Sequence, residues 1–200
     1  MATVLYIHAN IKPEGTSRSK QVADEFVKQY RTLHPEDTLI ELDLYKEDID
    51  FLRPTDLMVT AREFDESARS ATHLRYADQF AKADKYIFAT PLWNLGLPAI
   101  VKAYFDYVTA AGITFTYTAQ GPVGLLENKK AIHFAARGGF YTEGPAADYE
   151  MADRYLKTIL AFLGVYDYQT VAIEGLDAGG DSHQIVSDIV TTLPQLAETF

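Results

Sequence analysis

The feature that most constrains this chain is its first thirty residues. Thr3 to His8 is a short run of β-branched and aliphatic residues, followed by a polar stretch containing Gly and Pro. From about Ser19 to Leu33 apolar residues recur every three or four positions, so the order is strand, loop, helix. Val22, Phe26, Val27 and Tyr30 make one stripe, while Asp24, Lys28 and Arg31 occupy the other faces, as in a helix that covers a sheet.

The same alternation continues. Thr38–Leu44 alternates leucines with polar residues and reads as a second, peripheral strand. Asp48–Thr60, with Pro54, reads as a long connection before a helix from about Glu63 or Glu66 to Ala83. Lys85–Thr90 is the third strand, and the segment PLWNLGLPAIVKAYFDYV starts as a loop and becomes helical near Pro98. Ile113–Tyr117 is a short strand-like piece ending at a turn around Gln120, Gly121 and Pro122. Lys130–Ala136 is the fourth main strand, Asp148–Gly164 a helix stopped by its glycine, and Val165–Ile173 the fifth strand. Asp181 or Ser182 caps a last helix reaching about Glu198, which Pro194 kinks or shortens. The expected fold is an α/β three-layer sandwich, one domain over residues 1–200, with a five-stranded parallel sheet in the order 2-1-3-4-5.

Composition narrows the chemistry. With no cysteine there is no disulfide framework, thiolate metal site or cysteine nucleophile, so redox work needs a cofactor. A net charge of −10 opposes general attraction to nucleic acid or an anionic membrane, and anionic ligands then need a local site. The amino terminus lacks a basic region and a cleavage signal, and no apolar run reaches membrane-spanning length; a cytoplasmic protein is expected.

In a sheet of this order, ligands bind beyond the carboxyl ends of the strands between the first and third. Three loops meet there. The first, Asn10–Ser19, brings Thr16, Ser17 and Ser19 to a helix amino terminus, where free amides and the macrodipole favour a phosphate; Ser17 or Ser19 is equally readable as a plain helix cap. The second, Pro91-Leu92-Trp93-Asn94-Leu95, sets the only Trp beside an Asn, an apolar wall next to a polar edge of the kind a flat ring system needs; packing alone also explains a lone Trp. The third, Ala136-Arg137-Gly138-Gly139, combines close backbone approach with one cation, or is a turn with a surface salt bridge.

Neither G-x-G-x-x-G nor G-x-x-x-x-G-K-[ST] occurs, which favours a monophosphate cofactor over a dinucleotide or nucleoside triphosphate. There is no G-x-S-x-G elbow. The five histidines show no metal-ligand spacing, and for those on strands, His8 and His133, core packing suffices; no metal is expected.

At these loops the chain resembles the FMN-dependent NADH azoreductases, the flavodoxin-like NADH:quinone oxidoreductases. The landmarks are Ser17-Arg18-Ser19, Pro91–Leu95, AGITFTYTAQGPVGLL from Ala111, Ala136–Gly139, and FLG at Phe162–Gly164, in that order. The resemblance implies FMN held by Asn10, Ser17, Arg18 and Ser19 at its phosphate, by Pro91 and Leu92–Leu95 at the flavin edge, and by Ala136–Gly139 at the pyrimidine side. It implies ping-pong hydride transfer from NADH or NADPH to a quinone or azo acceptor, with no side chain named as essential acid or base, in a homodimer. Asn10 and Ala136 stand where the family commonly has serines, and Leu92-Trp93-Asn94-Leu95 replaces Met-Tyr-Asn-Phe, which bears on acceptor preference. The alternatives are a flavodoxin-type electron carrier that does not itself oxidise NADH and a flavin-free hydrolytic or regulatory domain.

Overall fold

The computed structural model describes residues 1–13, 15–53, 56 and 74–200. Five strands form the main sheet: β1 (Thr3–His8), β2 (Thr38–Asp43), β3 (Lys85–Pro91), β6 (Lys130–Ala136) and β7 (Asp167–Ile173). Every pairing in it is parallel, in the order β2-β1-β3-β6-β7. The expected order 2-1-3-4-5 counted these five strands alone; a separate antiparallel hairpin, β4 (Phe115–Thr118) and β5 (Gly121–Gly124), raises the last two numbers. The turn expected at Gln120-Gly121-Pro122 is thus partly strand, because Gly121 and Pro122 pair with Thr118 and Tyr117.

The described helices are α1 (Arg18–Leu33), α2 (Arg75–Lys82), α3 (Ala99–Val108), α4 (Ala152–Leu163), α5 (Ser182–Val190) and α6 (Leu193–Thr199). Of the helix expected up to Ala83, the part before Leu74 lies outside the described residues, as does Pro54. Residues 148–151 are not yet α-helical: a single 3-10 turn, Ala147–Tyr149, comes first. Gly164, at φ 104°, ends α4 in a left-handed conformation. Asp181 caps α5 through the amides of His183 and Gln184, and the expected last helix divides at Thr191–Thr192, with Pro194 in the first turn of α6.

Alternate residues of each central strand feed two cores. Leu5 and Ile7, Tyr86 and Phe88 face α2, α3 and α4, whose Phe80, Tyr104, Phe105, Leu156 and Leu160 complete one apolar layer. Val4 and Tyr6, Ile87 and Phe134 face α1, α5 and α6. There Phe26 lies 5.1 Å from the Phe134 ring and 5.6 Å from that of Phe200, centroid to centroid. Each such side chain, fully removed from water, contributes about 1.5–3 kcal/mol. β1 and β3 are neighbours, yet the chain leaves β1 outward to β2 before returning to β3, so the loops after β1 and β3 diverge and leave a crevice.

Candidate functional site

The first loop is shaped by its own side chains. Asn10 closes a turn on Lys12: its Oδ1 accepts from the Lys12 amide at 3.1 Å and its Nδ2 donates to the Lys12 carbonyl at 3.3 Å. Ser17 is the cap of α1, with extended backbone and Oγ accepting from the Lys20 amide at 3.4 Å. The capping role and the cleft position are therefore held by one residue. Ser17 and Ser19 are both buried, their hydroxyls 3.3 Å apart. Arg18 reaches away to Gln21 and, at 3.1 Å, to the Ser182 hydroxyl, joining α1 to the start of α5.

The second loop folds into a tight hairpin. Trp93 and Gly96 exchange both backbone hydrogen bonds, at 2.9 and 3.0 Å, across Asn94 (φ 48°) and Leu95 (φ 69°). Positive φ at both central residues is the type I′ arrangement, easy for Asn and strained by roughly 1–2 kcal/mol for a residue such as leucine. The Leu95 carbonyl is held by the Met151 amide at 3.0 Å, and the Leu92 amide donates to Ala136 at 2.8 Å, so the second loop is tied to the third.

In the third loop the Arg137 side chain is almost wholly buried. Its Nη1 donates to Glu174 at 2.9 Å and to Thr142 at 3.1 Å, and Nη2 lies 3.5 Å from Glu150. Burial works to raise the Glu174 carboxyl, yet hydrogen bonds from Arg137 and the Tyr141 amide, among others, bring it below its usual range. Arg137 is thus a buried cation rather than a surface salt bridge: two carboxylates offset its charge, while among the described residues its buried Nε has no hydrogen-bond partner. At Gly138 a Cβ would come 2.5 Å from Asp177 Oδ2, so a larger residue there would require the Asp177 side chain to move.

The three loops enclose a cleft of about 320 Å³. It is lined by Asn10, Ser17, Arg18, Ser19, Pro91, Leu92, Trp93, Ala136, Arg137 and Gly138. Asn94, Leu95 and Gly139 do not line it: Asn94 and Leu95 form the exposed hairpin tip, and the Gly139 carbonyl is taken by the Gly175 amide. Lys12, Leu176, Asp177 and Ser182 line the cleft without having been singled out from the sequence. The signal for three of them was the glycine-containing stretch GLDAGGDS after β7, a fourth loop at the same end of the sheet. A larger cavity of about 500 Å³ adjoins over β1 and β2, sharing Asn10, Lys12 and Ser17 but none of the second or third loop.

A parallel α/β domain whose buried hydroxyls at a helix amino end, an indole and an arginine line one cleft at the carboxyl ends of the strands is a binder of a phosphate-bearing ring cofactor. Residues 2–195 match the family described as having a flavodoxin-like fold, and the chain belongs to that family. It is 62% identical over 180 residues to the FMN-dependent NADH:quinone oxidoreductase of Lachnoclostridium phytofermentans, covering 90% of this chain and 89% of the relative. An azoreductase structure from Bacillus anthracis superposes with a TM-score of 0.90 at 38% identity, covering all of both chains. An FMN-dependent NADH-azoreductase from the same species, solved in complex with FMN, gives a TM-score of 0.88 at 26% identity, covering 100% of this chain and 99% of the other.

Proposed function

We propose that this chain is an FMN-dependent NADH:quinone oxidoreductase, formed by one domain over residues 1–200, that also reduces azo compounds. The observation that carries this reading is the convergence of Ser17 and Ser19, Trp93, and Arg137-Gly138 on one cleft, in a chain whose relatives at high identity bear that name. The residues fit the cofactor. Buried hydroxyls and the amino end of α1 suit the FMN phosphate, with Arg18, Lys12 and Asn10 at the rim. Pro91, Leu92 and Trp93 offer an apolar wall, and Asn94 and Leu95 form the exposed tip of the same hairpin. The Nε–H of Arg137, without a partner among the described residues, suits a ring carbonyl, and Ala136 and Gly138 line the cleft beside it, with Gly139 next in the same loop. Bound FMN supplies the hydride relay between NADH and the acceptor; the side chains bind, orient and exclude water, and no acid or base among them is required.

The partner we assign is a second copy. Tyr117, Val123, Tyr149, Met151, Phe162 and Tyr166, on or next to the hairpin and α4, are exposed at 37–79% and offer the apolar contact area a second copy would cover. Among the described residues no helix is long and apolar enough to cross a membrane, and the acidic chain is assigned to the cytoplasm.

The test is the visible spectrum of the purified protein with and without added FMN, followed by anaerobic NADH and a simple quinone. A bound flavin spectrum that NADH bleaches and quinone restores is expected. A colourless protein indifferent to FMN sinks the reading; a flavoprotein that cycles only with a protein reductase turns it into an electron carrier.

A further inference from the structure

Across the aromatic core between the sheet and helices α2 to α4 runs a polar strip that the cleft itself does not use. His133, in β6, is fully buried. Its Nε2 lies 2.8 Å from the hydroxyl of Thr90 in β3, and its Nδ1 lies 2.9 Å from Oδ1 of Asp153 in α4. The same carboxylate oxygen accepts from Thr170 at 2.7 Å and from Tyr168, both in β7. Burial pushes the Asp153 carboxyl up, but the hydrogen bond and charge of His133, with the two hydroxyls, hold it at about 2. An ionised carboxylate only accepts, so Nδ1 carries a proton, and when the ring is neutral Nε2 must receive the Thr90 O–H.

Both ends of this strip reach cleft loops. Thr90 immediately precedes Pro91, the first residue of the cleft's apolar wall. At the other end the Asp153 amide donates to Glu150 at 3.0 Å, and Glu150 lies 3.5 Å from Arg137 Nη2. One residue further, Met151 holds the Leu95 carbonyl. The amino end of α4 thereby meets the second loop through Thr90 and Leu95 and the third through Arg137. Packing alone does not call for this arrangement, since an apolar residue at 133 would fill the core without a network that has to be satisfied at every atom.

We propose that His133 is a positioning residue for the cofactor cleft: through Thr90 and Asp153 it fixes the Pro91–Gly96 and Ala136–Gly139 loops to the amino end of α4 and so sets the surroundings of the flavin ring. The inference rests on the FMN reading above and adds to it a residue remote from the ligand.

Thr90→Val keeps the side-chain shape and removes the hydroxyl; Thr90→Ser restores the hydroxyl. Both variants and the unchanged protein, loaded with FMN, are compared for flavin absorption, midpoint potential, and kcat and KM with NADH and a simple quinone. The valine variant should shift the absorption bands and lower kcat/KM roughly tenfold, the scale of a small misplacement, while the serine variant stays near the unchanged protein. A valine variant that loses only thermal stability, with spectrum, potential and kinetics intact, overturns the proposal, as does a serine variant as impaired as the valine one. Should Thr90→Val fail to fold, Tyr168→Phe, which removes one hydrogen bond from Asp153, is read by the same measurements: altered flavin properties support the proposal and unaltered ones overturn it. If the unchanged protein binds no FMN, the cofactor reading fails and the inference falls with it; FMN binding with unaltered variants removes the inference alone.

Discussion

Asp153 ties part of the stability of this fold to pH. Its carboxyl drops from the usual 3.8 to about 2 in the folded chain, where it receives His133, Tyr168 and Thr170. The folded state therefore favours the ionised form. The resulting stability is fully present above about pH 4 and is lost as pH falls through about 2. A lowering of this size is worth about 2 kcal/mol. Asp153→Asn removes the ionisable group while keeping the shape, so the difference in unfolding free energy between the two proteins reports the carboxylate together with its His133 partner. Other acids held low in the fold, such as Asp37 and Glu174, titrate in both proteins and drop out of that difference. Urea denaturation at a series of pH values should show the gap in favour of the unchanged protein shrinking by about 2 kcal/mol between pH 5 and pH 2. A gap that stays constant over that range would refute the reasoning, because the carboxylate would then titrate alike folded and unfolded.

Three further outcomes are expected. Ser17→Ala with Ser19→Ala should cost about 1 kcal/mol of stability through the lost cap, yet weaken FMN binding at least about tenfold in a fluorescence titration; an unchanged Kd argues against the phosphate site. Arg137→Met leaves Glu174 and Glu150 without their cation and should destabilise the fold by roughly 3–5 kcal/mol in thermal or chemical unfolding, whereas a loss below about 1 kcal/mol would mean the pairs are not holding the loop. Gly124→Ala places a methyl 2.2 Å from the Leu163 backbone carbon and 2.3 Å from the Gly164 nitrogen, neither of which can step aside, so the hairpin should lift from α4 at a cost of about 1–3 kcal/mol; a neutral variant would show that the contact yields easily.

The sheet was legible because each of its strands is a continuous or alternating apolar run between turn residues, and the helices that cover it carry their stripes at the right spacing. β5 was not, since Gly121-Pro122-Val123-Gly124 has the composition of a turn and becomes strand only by pairing with β4. The cleft loops were located by their place at the sheet's carboxyl end, and ten of the thirteen residues proposed from them do line one cavity. What local sequence could not convey was orientation. Arg137 reads as a cation beside two glycines, and only the return of β7 and the start of α4 bring Glu174 and Glu150 against it. His133 likewise reads as core, and it is core; its three polar neighbours come from positions 43 before it and 20 and 35 after it.

The hairpin at Trp93–Gly96 has a consequence for how a ligand is met. Its two mutual backbone bonds, its left-handed Asn94 and Leu95, and the Met151 tether leave the tip little freedom to lose. A flat ring arriving beside Trp93 would then be received by a surface whose ordering cost was met during folding, and more of the contact free energy would appear as affinity. Relaxing the tip with glycines at 94 and 95 would shift that cost from folding to binding, so the cofactor would become more weakly held even though no side chain lining the cleft had changed.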